Sequence, residues 1–309
     1  MLLDLVFLAI GVALALIGGE FFVRGAVDVA RLLRVPPGII GVTIAAFATS
    51  SPETSVAINA AVSGVGAIAI GDDLGSNVVN VALILALALL LSHMPVAFRE
   101  IRRDLLFAFL TPVLIGLAVM DGQFSRLDGV LLWLAFAFWL GLVIREAMEH
   151  RNRISEETIA KVAHPVRSIL VGIFGLALLL IAGRLIVDGA EGLALALGLS
   201  KFVVGAVVVA VATSSPEMAT TLIARIRGHD DLSLGNILGS NIYNGLFIAP
   251  LVAVIRPVDI GLTDLGLSLA VGAGIILLVT PLGNGIGRVR GVILLLVYAL
   301  FVFLTLSGR

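Results

Sequence analysis

Apolar residues fill this chain in runs of about twenty, the length of a helix that crosses a hydrocarbon core of about 30 Å. Short clusters of turn-forming residues cut the runs: Val35-Pro36-Pro37-Gly38, Ser92-His93-Met94-Pro95, Asp121-Gly122 and Pro281-Leu282-Gly283-Asn284-Gly285. The pattern predicts ten helices over residues 2–30, 37–62, 67–91, 104–120, 127–146, 165–196, 202–225, 232–254, 262–280 and 289–307. The one sizeable polar connection, Glu146 to His164, divides them into a first unit of five (1–146), a linker (147–164) and a second unit of five (165–309).

Composition narrows the class. The 309 residues are 60% hydrophobic and 13% charged, with a net charge of −1. No soluble domain needs that much apolar surface, so the expected fold is an all-α polytopic membrane protein in contact with the lipid bilayer. A transmembrane β-barrel would alternate over segments of about ten residues, and the unbroken run from Val78 to Leu91 does not. The charge balance gives no case for nucleic acid. The absence of cysteine removes disulfides, thiolate metal sites and cysteine nucleophiles. Met1 to Ile17 lacks the basic start of a secretory signal and runs straight on to Ala30, so it reads as the first membrane helix. With the N-terminus outside, fourteen Lys and Arg fall in inner loops and four in outer ones. That bias places both termini outside.

One stretch breaks the apolar pattern twice. Ala46-Phe47-Ala48-Thr49-Ser50-Ser51-Pro52-Glu53 returns, with seven of eight positions identical, as Ala210-Val211-Ala212-Thr213-Ser214-Ser215-Pro216-Glu217. The offset of 164 residues also pairs Gly25 with Gly189, Gly41 with Gly205, and Asn80 with Asn244. It relates Gly71-Asp72-Asp73-Leu74-Gly75-Ser76-Asn77 to Gly235-Asn236-Ile237-Leu238-Gly239-Ser240-Asn241 as well. With five helices per half, the second half enters the membrane upside down relative to the first. That is an inverted repeat, the architecture of alternating access around a midplane site.

An intramembrane carboxylate is costly and marks function by default; here there are two, Glu53 and Glu217, each after a helix-breaking proline. Proline cannot donate to the carbonyl four residues back, so Ala48 and Ala212 are expected to have free carbonyls. Thr49, Ser50 and Glu53 share one side of a helical turn, as do Thr213, Ser214 and Glu217. Ser76, Asn77 and Asn80 share a face, as do Ser240, Asn241 and Asn244. Together these are oxygen donors suited to a hard cation. The four histidines all fall in predicted loops, so imidazole-seeking metals are poorly served. Two glutamates balance one divalent ion, or accept sodium ions or protons, which makes competition between ions chemically natural. Other charges have plainer readings. Asp72 and Asp73 are expected to complement the positive start of the third helix. Glu20, Arg24 and Asp28, and Arg184 with Asp188, are expected to form ion pairs at helix ends.

The doubled motif, Gly-x4-Ala-x2-Thr-Ser-x-Pro-Glu from Gly41 and Gly205 followed by Gly-x3-Gly-Ser-Asn-x2-Asn from Gly71 and Gly235, resembles the α-repeats of the calcium:cation antiporter superfamily. Within it the chain looks like a prokaryotic sodium/calcium exchanger of ten helices. The resemblance implies Glu53 and Glu217 as central carboxylate ligands of the transported ion, and Thr49, Ser50, Thr213 and Ser214 as hydroxyl ligands. It implies Ser76 and Ser240 as flanking hydroxyls, Ala46 and Ala210 as carbonyl donors, and Asn80 and Asn244 in the middle. The first and sixth helices would slide against the rest. In archaeal exchangers of this kind the counterpart of Asn244 can be aspartate, and Asp72 stands where the second half keeps Asn236.

The resulting expectation is a monomeric antiporter in a prokaryotic cell membrane, exchanging calcium for sodium with no cofactor. A proton/calcium exchanger is the alternative, and a cation channel could use the same oxygens. An intramembrane hydrolase built on Ser50 or Ser214 lacks a membrane-embedded His or Lys as base.

Overall fold

A computed structural model of the chain describes residues 2–64, 66–153, 165–196, 210–281, 283 and 285–307. The described residues are nearly all helical. The first half holds α1 (Leu2–Leu33), α2 (Pro37–Ile40), α3 (Ala46–Thr49), α4 (Ser51–Val62), α5 (Gly66–Val78), α6 (Ala86–Leu91), α7 (Phe98–Ala118) and α8 (Arg126–Arg153). The second holds α9 (Pro165–Ala196), α10 (Ala210–Thr213), α11 (Ser215–Ile226), α12 (Asp230–Tyr243), α13 (Ala249–Ile255), α14 (Leu262–Leu278) and α15 (Arg288–Leu306). Among the described residues, six stretches are long and apolar enough to cross a membrane: Ala9–Leu33, Ala69–Leu91, Arg126–His150, Pro165–Ala182, Asp230–Ile255 and Arg288–Leu306. Pro37–Thr49 and Leu262–Leu278 are shorter apolar helices. The chain is a polytopic helical membrane protein.

Several expected helices differ in detail. The segment expected to be one helix over 37–62 breaks at Ser50, and its counterpart, described from Ala210 on, breaks at Ser214. Wider π turns interrupt the first of these segments at Gly41–Ala45 and the expected helices over 67–91 and 232–254 at Val79–Leu85 and Asn244–Ile248. The fourth helix begins earlier than residue 104, at Phe98, where the Glu100 carboxylate accepts the Ala97 N–H at 3.2 Å. The fifth runs past residue 146 to Arg153, so it takes up part of the expected linker. Good helix formers and the Arg145–Glu149 ion pair one turn apart, at 2.9 Å, carry it on. Linker residues 154–164, Gly205 and the side chain of Asp188, the expected partner of Arg184, lie outside the described residues.

Two apolar clusters organise the packing. The larger gathers α5 to α8 with α12 to α15 around fully buried Trp139, Phe124, Met94 and Phe301. The smaller is built on α1, with Phe22, Val23, Ala26 and Val27 against Leu179 and Ala182 of α9. Glycines let α1 and α9 approach closely: a Cβ at Gly25 would run into the Gly172 backbone, and one at Gly18 would lie 2.9 Å from the Gly175 carbonyl. The ion pairs expected on α1 form with additional partners. Arg24 meets Glu20 at 2.7 Å, but Glu20 also holds Arg227 beyond α11. Asp28 meets Arg31 at 3.2 Å and accepts the Ser168 hydroxyl of α9 at 2.6 Å.

Short backbone pairings tie loops of one half to loops of the other. β1 (Gln123–Phe124) pairs antiparallel with β2 (Val258–Asp259), and a single bridge joins Met94 to Ile286. Met94 and Val258 are themselves separated by the 164-residue repeat offset.

Candidate functional site

The two breaks have the same local cause and nearly the same shape. Ser50 (φ −81°, ψ 18°) and Ser214 (φ −75°, ψ 8°) leave the helix just before a Ser-Pro pair. Each proline then occupies the first turn of a new helix, where its missing N–H costs nothing. Glu53 and Glu217 are the third residues of α4 and α11. Their carboxylates therefore stand at positive helix ends. The interruption is brief, since Thr54 and Met218 resume the ladder on the carbonyls of Ser50 and Ser214 at 3.1 and 2.9 Å. The carbonyl expected to be free at Ala48 is taken by the Ser51 hydroxyl at 2.8 Å, a local back-bond open to a short polar side chain.

The four repeated segments converge. Ser50 donates to Glu217 Oε1 at 2.8 Å, and Ser240 approaches the same oxygen at 3.4 Å. Ser76 and Thr213 place their hydroxyls 3.4 Å apart across the halves. The Thr49 hydroxyl lies 3.0 Å from the Ala45 carbonyl and 3.4 Å from Asn236 Oδ1. Asn80 donates to Asn241 Oδ1 at 3.1 Å, and Asn77 and Asn241 hydrogen-bond each other's backbone. The Ala46 and Ala210 carbonyls accept helical N–H groups at 3.0 and 3.1 Å and also face the Thr49 and Thr213 hydroxyls, each at 3.3 Å.

All twelve residues singled out from the sequence are buried. Both carboxylate oxygens of Glu53, Glu217 Oε2, Asn80 Oδ1, both amide atoms of Asn244 and the Ser214 hydroxyl have no hydrogen-bond partner. Buried polar groups are ordinarily satisfied, so this concentration marks a candidate binding site. Among the described residues no three of His, Asp and Glu form a preformed metal cluster. The donors are instead two acids amid hydroxyls, amides and carbonyls, a set suited to a hard cation that comes and goes.

Some members of the site carry no signal in the motif. Thr220, Thr221 and Ser233 are fully buried; Ser233 donates to the Thr221 carbonyl at 3.0 Å, and Asn236 donates to the Thr221 hydroxyl at 3.1 Å. Their polar spacing along α11 and α12 is visible only once the helical register is known. Asp72 and Asp73 depart from their expected place. They are not in the first turn of a helix but beyond it in α5, 1% exposed, with no hydrogen-bond partner on any carboxylate oxygen. α5 starts at Gly66, too early for its positive end to reach them.

Comparison with known proteins identifies the family. The family model described as sodium/calcium exchanger protein matches residues 3–145 and 167–307. CaxA of Alkalimonas amylolytica is 33% identical over 319 residues, covering 100% of both chains. The sodium/calcium exchanger MaX1 of Methanosarcina acetivorans is 29% identical over 95% of this chain and 96% of its own. A solved structure of the sodium-calcium exchanger NCX_Mj superimposes with a TM-score of 0.83 at 28% identity, covering 100% of this chain and 99% of that one. With the doubled Thr-Ser-Ser-Pro-Glu breaks facing one another in the core, the match along both halves places the chain in the sodium/calcium exchanger family of the calcium:cation antiporter superfamily.

Proposed function

We propose that the protein is a secondary antiporter that exchanges calcium for sodium across a prokaryotic cell membrane, as a monomer and without a cofactor. Ten membrane helices, arranged as two inverted repeats (1–146 and 165–309) with both termini outside, surround a midplane site. Glu53 and Glu217 supply the charge. Thr49, Ser50, Thr213, Ser214, Ser76 and Ser240 supply hydroxyls, Ala46 and Ala210 carbonyls, and Asn80 and Asn244 amide oxygens. The observation that carries the reading is the buried Glu53 carboxylate with neither oxygen partnered, beside a Glu217 held from the other half by Ser50.

The chemistry follows from charge balance. Two carboxylates in a low-dielectric interior repel each other when empty and need a compensating cation. One calcium ion or about two sodium ions supply the same compensation, so the site empties of one ion only as the other enters. Exchange needs access from alternate sides. The moving part is the α1–α9 pair, supported by its separate apolar cluster and its glycine-lined contact.

The test is calcium flux in proteoliposomes under an imposed sodium gradient. Sodium-dependent counterflow that Glu53→Gln abolishes is the expected result. Flux driven by a pH gradient with sodium absent would assign the coupling to protons instead. Current without any counter-ion would make the protein a channel.

A further inference from the structure

One buried hydroxyl outside the central site serves nothing in the fold. Threonine in a helix ordinarily donates to the carbonyl three or four residues back, and Thr43, Thr54, Thr111 and Thr305 do so at 2.6–2.9 Å. Thr220 of α11 does not: it is 0% exposed, and its hydroxyl has no hydrogen-bond partner. Burying a polar group in this way is destabilising. The first half manages without it. Displaced by the repeat offset of 164 residues, the same position is Val56, which has the shape of threonine without the hydroxyl.

Its surroundings say when it is used. Thr220 follows Glu217 by three residues on the same side of α11, and Glu217 Oε2 also lacks a partner. In the other direction the helix ends at Ile226, next to the exposed Arg227 that Glu20 of α1 holds. The neighbours of Thr220 on the helix surface are Ala219, Ile223 and Ala224, and all three pack in the apolar cluster built on α1. α1 lies close over them: a Cβ at Gly19 would be 2.8 Å from the Ile223 side chain and 3.3 Å from Ala219. The hydroxyl is thus sealed beneath α1, between the Glu217 carboxylate and the Arg227 end of the helix.

We infer that Thr220 is a further ion-positioning residue: its hydroxyl oxygen receives the transported cation on its way between Glu217 and the Arg227 end of α11, once α1 has moved aside. The inference rests on the antiporter reading with a moving α1–α9 pair and deepens it. An ion leaving a carboxylate is costly to strip of ligands before it meets water, and a hard cation accepts a neutral oxygen. A neutral oxygen suits a passing position, where binding must be strong enough to admit the ion and weak enough to release it. Val56 gives the other half no such oxygen, so the effect is one-sided.

The experiment measures sodium-dependent calcium transport by the full-length protein in right-side-out and inside-out membrane vesicles, so that calcium meets one face of the protein at a time. Labelling of Arg227→Cys by a membrane-impermeant thiol reagent marks the face on which Arg227 lies, since the chain has no cysteine of its own. Thr220→Val, which reproduces the first-half residue, is expected to raise KM for calcium about tenfold from the Arg227 face, the loss of one contact to a charged group. KM from the opposite face is expected to stay at the wild-type value, and Thr220→Ser to behave as wild type from both. An unchanged KM in Thr220→Val, an equal rise from both faces, or no rescue by Thr220→Ser overturns the assignment. If Thr220→Val does not fold, Thr220→Cys takes its place: inhibition by a cationic methanethiosulfonate from the Arg227 face alone supports the position, and resistance to the reagent or inhibition from the opposite face overturns it. A wild type without sodium-dependent calcium transport overturns the antiporter reading itself. Transport that Glu53→Gln abolishes and Thr220→Val leaves untouched overturns this position only.

Discussion

Asn77 and Asn241 hold each other by the same atoms: the Nδ2 of Asn77 donates to the Asn241 carbonyl at 3.1 Å, and the Nδ2 of Asn241 donates to the Asn77 carbonyl at 3.0 Å. Equivalent positions of the two repeats thus meet in a self-complementary contact, as residues on a two-fold axis do. Because each amide satisfies a buried carbonyl, Asn77→Ala and Asn241→Ala should each cost about 1–3 kcal/mol. The double variant should cost less than the sum, since each single change already breaks the exchange. Thermal unfolding in detergent checks this, and strict additivity would show that the two bonds act independently.

Ser50 holds a carboxylate of the opposite half. Its hydroxyl is the short contact to Glu217 Oε1, and a hydrogen bond to a charged group is worth about 1.5–3 kcal/mol. Ser50→Ala should therefore weaken calcium binding by at least about tenfold. The serine at 214, whose hydroxyl has no partner, should matter only when an ion is present. Calorimetric titration of both variants separates the two roles: an equal loss of protein stability in both would contradict the distinction.

Close backbone approach holds α1 against α9, the pair proposed to move as one. Gly172→Leu places a large side chain where Gly25 now touches, and overpacking of this kind costs about 1–3 kcal/mol. Transport should fall steeply while equilibrium calcium binding stays near wild type, because no ion ligand is altered. Full transport in this variant would show that the pair moves without this close contact.

Asn244 lies in a π turn with neither amide atom partnered. Asn244→Asp adds a third central charge, and two unit charges about 4 Å apart interact by about 4 kcal/mol at an effective dielectric of 20. Calcium should bind more tightly by at least about tenfold, and more sodium should be needed to displace it. Competition isotherms measure both, and an unchanged sodium midpoint would place Asn244 outside the ion's reach.

The doubled Thr-Ser-Ser-Pro-Glu was legible because proline and glutamate have no bland place in an apolar helix, and two copies in register leave little else to explain them. The helix breaks, the convergence of four segments and the burial of Glu53 all follow from that chemistry. The register shifts did not show. Asn80 and Asn244 lie in π turns that no local propensity announces, because Val, Leu and Ile there suit either ladder. Asp72 and Asp73 read as helix-start acids although the helix expected from residue 67, like α5 from Gly66, already carries them beyond its first turn. Thr221 is a polar residue in an amphipathic helix until its contact with Asn236 is seen.

The small strand pairings have a mechanical consequence. β1 with β2, and Met94 with Ile286, staple a loop of each half to a loop of the other by backbone hydrogen bonds such as Met94 N–H to Ile286 at 3.0 Å. Were the halves to rock as two blocks, both staples would have to tear and reform on every turnover. In the proposed exchange cycle the stapled helices would act as a stator, and the work would fall on α1 and α9, which carry neither staple.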